Sequence, residues 1–192
     1  MNHIRAFIAI DLPPAIQETL DKQTTRLRQI LGDDLVRWVP AHNMHLTLKF
    51  LGSLPLLHLD FIKQMLAQAA ESNPQFDLQI SGIGSFPNSK RPRVLWAGIH
   101  APAGLTSLQK MIEDGATRLG YNKEERPFSP HLTLARVRQG ISAQGLHKIS
   151  TALSTFQLGK IGIARVDSVH LYQSDLHSEG SVYTKLFSAT LR

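Results

Sequence analysis

The sequence predicts an α+β fold of two lobes, related by an approximate two-fold axis, with antiparallel sheets around a central cleft. Segments typical of strands and of amphipathic helices alternate along the 192 residues, and the tetrapeptide His-Leu-Thr-Leu occurs twice, at His45 and His131. The two copies begin 86 residues apart, and the apolar segments that precede them, at Phe7 and Val94, lie 87 residues apart. Because the two offsets are nearly equal, we expect a single two-lobed domain over 1–192 with an internal repeat of about 5–87 and 93–174.

The first half begins with an apolar run over 5–10 that is typical of a buried strand, and a Pro-Pro turn separates it from a predicted helix over 15–31. Apolar residues recur on one face of this helix. They are Ile16, Leu20, Leu27 and Leu31. The other predicted elements of this half are an extended segment over 36–39, a strand over 44–51 with the first motif, a helix over 60–70 and a strand over 76–83.

The second half repeats this order of elements. An apolar segment over 94–99, rich in strand-forming residues, precedes a predicted helix over 105–119 that Gly120 ends. A strand that opens at His131 carries the second motif. A short helix over 143–153 and two strands, over 163–172 and 183–191, complete the predicted elements.

Composition restricts the possible classes of protein. Apolar residues make up 42% and charged residues 19%, which is typical of a globular protein and not of a disordered chain. Lys and Arg number 21 against 15 Asp and Glu, and the formal charge of +6 favours an anionic partner, although a basic solvated surface is an equal alternative. The chain has no cysteine, which excludes disulfides and thiolate catalysis. The apolar run over 6–10 is too short for a signal peptide or a membrane span, so we expect a cytoplasmic protein.

Each motif has the form HxTx, and strand geometry divides it into two faces. Alternate side chains of a strand share a face, so His45 and Thr47 point one way, and His131 and Thr133 do the same in the second copy. Two imidazoles that face one cleft suit phosphodiester hydrolysis, since one neutral His can accept a proton from water while one charged His donates a proton to the leaving oxygen. The threonine hydroxyls can donate hydrogen bonds to the non-bridging phosphate oxygens. We therefore expect neither a metal nor a cofactor.

Three other interpretations remain open from the residues alone. The histidines of the motifs could be partly buried strand residues that only bond across a sheet. The same cleft could belong to an RNA-end binding module that does not turn over its ligand, or to a metal-dependent phosphodiesterase. None of the other seven histidines falls in a convincing metal-ligand pattern, and the chain has no Gly-rich phosphate loop that would indicate ATP use.

The sequence also resembles a known family along its whole length. The matching segments are Arg5-Ala6-Phe7-Ile8-Ala9-Ile10-Asp11-Leu12-Pro13, His45-Leu46-Thr47-Leu48-Lys49-Phe50-Leu51-Gly52, Arg93-Val94-Leu95-Trp96-Ala97-Gly98-Ile99, Arg126-Pro127-Phe128-Ser129-Pro130-His131-Leu132-Thr133-Leu134-Ala135-Arg136 and Leu171-Tyr172-Gln173-Ser174. They resemble the two-histidine (2H) phosphoesterases, specifically the bacterial and archaeal RNA 2′,3′-cyclic phosphodiesterases that are also described as 2′-5′ RNA ligases.

This resemblance implies a bilobal fold with both motifs in a central cleft, and hydrolysis of a terminal RNA 2′,3′-cyclic phosphate to a 2′-phosphate. By the same resemblance His45 is the proton donor to the leaving 3′ oxygen, and His131 is the acceptor that activates water. Arg136 corresponds to a family arginine near the phosphate, although its odd offset of five from His131 requires a bulge or a strand end between them. Reversal of the chemistry, with an RNA 5′-hydroxyl in place of water, would join RNA ends through a 2′-5′ linkage without ATP. We expect a monomer, with tRNA fragments among the candidate RNA partners.

Overall fold

The computed structural model describes residues 2–178 and 180–192, which form nine strands and four helices. The strands are β1 (His3–Ile10), β2 (Val36–Trp38), β3 (Leu46–Pro55), β4 (Phe76–Phe86), β5 (Val94–His100), β6 (His131–Val137), β7 (Lys160–Val166), β8 (Ser168–His177) and β9 (Gly180–Thr190). The helices are α1 (Pro14–Leu31), α2 (Leu59–Glu71), α3 (Ala103–Arg118) and α4 (Ala143–Thr155). The predicted α+β class is confirmed.

The strands form two four-stranded groups that meet at the motif strands. Their order is β7-β4-β5-β6 followed by β3-β1-β8-β9, every pairing is antiparallel, and β2 adds to β6 outside this path. The two groups are joined by one residue pair, Leu46 opposite Leu132. A sheet connected at a single pair gives two lobes with the motif strands side by side between them.

The two groups do not coincide with the two halves of the chain. Strand β4 comes from the first half but pairs with β5 and β7, whereas β8 comes from the second half but pairs with β1 and β9. The helices follow the same exchange, because α1 and α4 pack together on the side of β7 and β4, while α2 and α3 pack together against β9, β8 and β3. Each half of the chain thus contributes strands to the lobe of the other half, as expected for two copies of one structural unit. The repeat over about 5–87 and 93–174 stays a prediction.

Helix α1 forms where the apolar periodicity predicts it. Pro14 occupies the first helical position, where a missing N–H costs nothing, and Gly32 ends the helix with a positive φ of 77°. The buried face of α1 contains the four apolar residues predicted from the sequence, together with Thr24. No helix among the described residues has the length and apolar character that a membrane span requires.

The segment predicted as one strand over 163–172 is two strands, so this prediction is wrong. Strand β7 ends at Val166, and β8 starts at Ser168. The two strands pair with different lobes, β7 with β4 and β8 with β1, so the chain must turn between them. The turn is at Asp167, whose carbonyl accepts a hydrogen bond from the amide of Leu191 at 2.7 Å.

Candidate active site

The site is built where the two motif strands meet. Leu46 and Leu132 lie opposite each other, and both are buried. Because side chains alternate along a strand, the residues on either side of these leucines emerge together on the other face. The four flanking residues are His45, Thr47, His131 and Thr133, and all four are half-buried. The structure therefore brings the chemically active side chains of both motifs to one face of the sheet.

The register places each histidine across from the threonine of the other motif, so the two imidazoles are diagonal neighbours. In a regular antiparallel pair, diagonal neighbours have Cα atoms about 7–8 Å apart. A phosphate bound between the rings can then contact an imidazole on each side. The arrangement is the one needed for a proton donor and a proton acceptor that act on opposite faces of one phosphorus.

The backbone fixes the same tautomer in both imidazoles. Nδ1 of His45 lies 2.9 Å from the carbonyl oxygen of Asn43, and Nδ1 of His131 lies 2.7 Å from the carbonyl oxygen of Ser129. A carbonyl oxygen only accepts hydrogen bonds, so Nδ1 must be the protonated nitrogen in each ring. Nε2 is then the nitrogen that can accept or release a proton at the site.

Aromatic rings surround His45. The ring of Phe7 stacks on it at 4.7 Å between centroids, and Tyr183 meets it edge-on at 5.2 Å. Burial lowers the pKa of His45, while the Asn43 carbonyl and the negative charge of Asp11 act in the opposite direction. His45 thus combines a rigid position with a nearby negative charge that favours its protonated form.

Asp11 stands at the end of β1 in a hydrogen-bonded cluster. The hydroxyl of Tyr172 donates to one of its carboxylate oxygens at 2.6 Å, and Lys185 Nζ donates to the other at 2.7 Å. Burial raises the pKa of Asp11, but the two hydrogen bonds, together with the positive charges of His170 and Lys185, hold the pKa below its ordinary value. The carboxylate is therefore charged at neutral pH. A cavity of about 360 Å³ opens beside it, with His45 and Tyr183 also in its lining.

The second histidine has a different electrostatic environment. Phe86 packs edge-on against His131 at 4.8 Å. Burial lowers the pKa of His131, the Ser129 carbonyl acts against this, and the positive charge of Arg136 lowers the pKa further. The neighbouring charge thus favours the charged form of His45 but the neutral form of His131.

A bulge in β6 accounts for the position of Arg136. Thr133 pairs with Trp96 and Ala135 pairs with Leu95, so Leu134 is an extra residue without a partner on β5. Leu134 and Ala135 are both buried, which resets the alternation, and Arg136 emerges exposed on the face of His131. Of the two explanations expected from the sequence, the bulge is the correct one.

Both threonine hydroxyls are available to a ligand. Among the residues that the structure describes, neither Thr47 nor Thr133 uses its side chain in a hydrogen bond. In the same part of the chain, no group of three or more His, Asp or Glu side chains is placed to hold a metal ion. The chemistry on this face is therefore that of two imidazoles, two hydroxyls and one guanidinium.

Several neighbours of the site were not predicted from the sequence as functional. Phe7 and Asp11 were assigned to a buried strand and a turn, and Tyr183 to a strand. Tyr172 lies in a segment that matches the family, which was the one available signal for it. Their roles depend on the pairing of β1 with β8, a contact between residues about 160 positions apart. No local pattern in the sequence indicates such a contact.

Comparison with known proteins gives one family. A family model described as the 2′-5′ RNA ligase superfamily matches residues 12–177. A protein of Methanothermobacter thermautotrophicus named RNA 2′,3′-cyclic phosphodiesterase is 30% identical over 183 residues, which cover 95% of this chain and 96% of that protein. A protein of Thermus thermophilus with the same name is 30% identical over 199 residues, which cover 98% of this chain and 91% of the relative.

Solved structures agree with this result. TT0787 of Thermus thermophilus superimposes with a TM-score of 0.81 at 29% identity, over 98% of both chains. LigT of Escherichia coli, in its complex with 3′-AMP, superimposes with a TM-score of 0.76 at 28% identity, over 99% of both chains. The resemblance found in the sequence is confirmed, and the chain belongs to the 2′-5′ RNA ligase superfamily of two-histidine phosphoesterases.

Proposed function

We propose that this protein is an RNA 2′,3′-cyclic phosphodiesterase that converts a terminal cyclic phosphate into a 2′-phosphate without a metal. The observation that carries the proposal is the pairing of Leu46 with Leu132, which puts both imidazoles on one face, and in the part of the chain that the structure describes neither Nε2 has a hydrogen-bond partner. The names of the relatives supply the substrate class, since those of Methanothermobacter thermautotrophicus and Thermus thermophilus are called RNA 2′,3′-cyclic phosphodiesterases.

The proposed reaction is an attack of water on the cyclic phosphorus. Nε2 of His131 accepts a proton from the water as its oxygen forms the new bond to phosphorus. The bond between phosphorus and the 3′ oxygen breaks, and Nε2 of protonated His45 gives its proton to that oxygen. The product keeps the phosphate on the 2′ oxygen, and His131 has gained one proton while His45 has lost one, so exchange with solvent restores both rings. Each transfer contributes about a hundredfold to ten-thousandfold to the rate.

The charges beside the two rings support this division of roles. A proton donor must be charged before the reaction, and the carboxylate of Asp11 favours the charged form of His45. A proton acceptor must be neutral, and the guanidinium of Arg136 favours the neutral form of His131. Burial lowers both pKa values, so it does not distinguish the two rings, whereas the neighbouring charges do.

Thr47, Thr133 and Arg136 are the proposed ligands of the non-bridging phosphate oxygens. Negative charge on these oxygens grows as water attacks, and hydrogen-bond donors fixed in advance stabilise that charge without reorganisation. The two hydroxyls are free of other bonds among the described residues, and the guanidinium is exposed on the same face. In this proposal the two threonines and Arg136 bind the charged phosphate oxygens, and the two histidines transfer protons.

The same groups can also join two RNA ends. If an RNA 5′-hydroxyl attacks the cyclic phosphorus in place of water, His131 takes the hydroxyl proton, the bond between phosphorus and the 3′ oxygen breaks, and His45 gives that oxygen a proton. The product is a 2′-5′ linkage, and because opening of the cyclic phosphate drives the step, no ATP is needed. We include in the proposal that the protein acts in the cytoplasm as a monomer, and that tRNA fragments are among its RNA substrates. Hydrolysis and joining differ only in the nucleophile, water or an RNA 5′-hydroxyl, that attacks the phosphorus.

The test is hydrolysis of a defined oligonucleotide with a 2′,3′-cyclic phosphate end, with the product identified by its phosphate position. We expect His45→Ala and His131→Ala each to lower kcat by at least about a hundredfold, and the double variant to lose little more, because the two residues act as a unit. His147→Ala, in an exposed histidine of α4, is the matched control. Activity should persist in EDTA.

Two outcomes would contradict the proposal. If the wild-type protein binds the cyclic end but forms no 2′-phosphate, the cleft belongs to an RNA-end binding module. If EDTA abolishes turnover and added metal restores it, the protein is a metal-dependent phosphodiesterase.

A further inference from the structure

Large apolar side chains are exposed in one stretch next to the site. The described residues include nine exposed large hydrophobic side chains, and four of them fall within residues 50–61. They are Phe50, Leu56, Leu57 and Phe61. Single exposed apolar residues are ordinary in proteins, but a cluster of them marks a surface that contacts something else.

One of these residues, Phe50, lines an open groove, and another, Phe61, meets the ring of His58 in the groove lining edge-on at 6.5 Å. The groove has a volume of about 450 Å³ and is lined by Phe50, Pro55, His58, Tyr121 and Asn122 among others. Nδ1 of His58 lies 3.2 Å from the hydroxyl of Tyr121, and the two rings meet edge-on. The walls of the groove thus combine aromatic rings with hydrogen-bonding atoms, and nucleobases bind to surfaces of this kind.

The groove begins at the catalytic face. Leu48 is an extra residue of β3, because Thr47 pairs with Ala9 while Lys49 pairs with Ile8. This bulge resets the alternation as the bulge in β6 does, so Phe50 emerges exposed on the face of His45 and Thr47. The ring of Phe7 lies between them, 4.7 Å from the ring of His45 and 6.1 Å from that of Phe50.

We propose that this groove, from Phe50 to Tyr121, binds the bases of the RNA nucleotides that precede the cyclic phosphate end. This inference rests on the proposed function. The bound RNA must leave the site along the protein surface, and the groove is an aromatic path that starts one ring from His45. A base stacked on Phe50 would share the groove with the ring of Tyr121 and with the polar atoms of Asn122 and His58, which all line it. Any base can stack on an aromatic ring, so we expect the groove to increase the affinity for longer RNA ends without selecting a base sequence.

The experiment compares two substrates, a nucleoside 2′,3′-cyclic phosphate and a short oligonucleotide that ends in the same cyclic nucleotide. The measured quantity is the ratio of kcat/KM for the oligonucleotide to kcat/KM for the mononucleotide. We expect Phe50→Ala and Tyr121→Ala each to lower this ratio about fivefold to a hundredfold, the effect of removing one stacked base. Phe50→Trp should keep the ratio. Ile163→Ala, in an exposed apolar residue of the distant strand β7, is the matched control.

Failure of the inference and failure of the proposed function give different results. If the wild-type protein hydrolyses neither substrate, the proposed function fails. If it hydrolyses both and the ratio is the same in Phe50→Ala and Tyr121→Ala as in Ile163→Ala, the groove does not bind RNA. A change of oligomeric state in these variants, measured by sedimentation with the ratio unchanged, would overturn the inference and assign the groove to a second copy of the chain.

Discussion

A buried ion pair next to the first motif allows a quantitative prediction of stability. Lys49 follows Thr47 by two residues in β3, and its ammonium lies 2.5 Å from Glu113 Oε1 of α3. The side chains of Lys49 and Glu113 are only 4% and 9% exposed. Lys49 also donates to the carbonyl of Asn122 at 2.7 Å, and Glu113 Oε1 accepts from the amide of Glu124 at 2.8 Å. The pair therefore holds the loop that leads towards His131.

The perturbation is Lys49→Met, which keeps most of the side-chain volume and removes the charge. The carboxylate of Glu113 then stays buried with the amide of Glu124 as its remaining donor, since Glu113 Oε2 has no partner among the described residues. Removal of one partner of a buried pair costs about 3–5 kcal/mol. In a chain of this length each kcal/mol lowers Tm by about 2–4 °C, so we expect a loss of roughly 6–20 °C.

The assay is urea denaturation followed by circular dichroism, with thermal unfolding as a second measurement. Lys63→Met is the matched control, because Lys63 pairs with Asp60 at 3.5 Å on the surface of α2 and Asp60 is 85% exposed. An exposed pair of this kind contributes about 0–1 kcal/mol. The double variant Lys49→Met/Glu113→Leu should lose less free energy of unfolding than the two single variants lose together, because it leaves no unpaired buried charge. Equal costs for Lys49→Met and Lys63→Met would refute the reasoning.

Two further predictions concern the site. In the pH profile of kcat/KM, Asp11→Asn removes a charge that raises the pKa of His45, so the alkaline limb, on which the donor loses its proton, should move to lower pH. Arg136→Gln removes a charge that lowers the pKa of His131, so the acid limb, on which the acceptor gains a proton, should move to higher pH. If both limbs of the profile stay in place in these two variants, the proposed roles of the histidines are contradicted. Thr47→Val should lower kcat about a hundredfold to a thousandfold without changing Tm, because the Thr47 hydroxyl makes no hydrogen bond to a described residue. If Tm falls together with kcat, the role of Thr47 is structural.

Much of the fold follows from local patterns in the sequence. The apolar face of α1 and the two motif strands depend on periodicity and strand-forming residues, which act over a few residues. The turn at Asp167 and the exchange of β4 and β8 between the lobes do not. A strand that crosses to the other lobe has the same apolar pattern as one that stays, because both lobes bury one face of their strands. Which strand a segment pairs with therefore depends on the packing of the whole core and not on the sequence of that segment.

The two bulges explain which site residues could be predicted. Unbroken alternation from His45 would put Lys49 on the catalytic face and Phe50 in the core. The bulge at Leu48 reverses this, so Lys49 is buried against Glu113 and Phe50 is 62% exposed. In β6 the same reversal brings Arg136 to the face of His131 and Thr133, and its role as a phosphate ligand stays a proposal. One extra residue without a partner changes every later side chain of the strand, and the sequence alone does not mark its position.

The two motifs have the same residues and the same backbone contacts, so the different roles proposed for them must come from their neighbours. The position 87 residues after Asp11 is Gly98, which pairs with His131. A Cβ at Gly98 would lie 2.8 Å from the carbonyl oxygen of Ser81, so a carboxylate side chain at this position, the counterpart of Asp11, would require the backbone of Ser81 to shift. A protein that used two equal histidines would populate the donor and acceptor forms of each ring to the same extent. The negative charge near His45 and the positive charge near His131 favour a single assignment, and this asymmetry is the physical basis of the proposed division into one acid and one base.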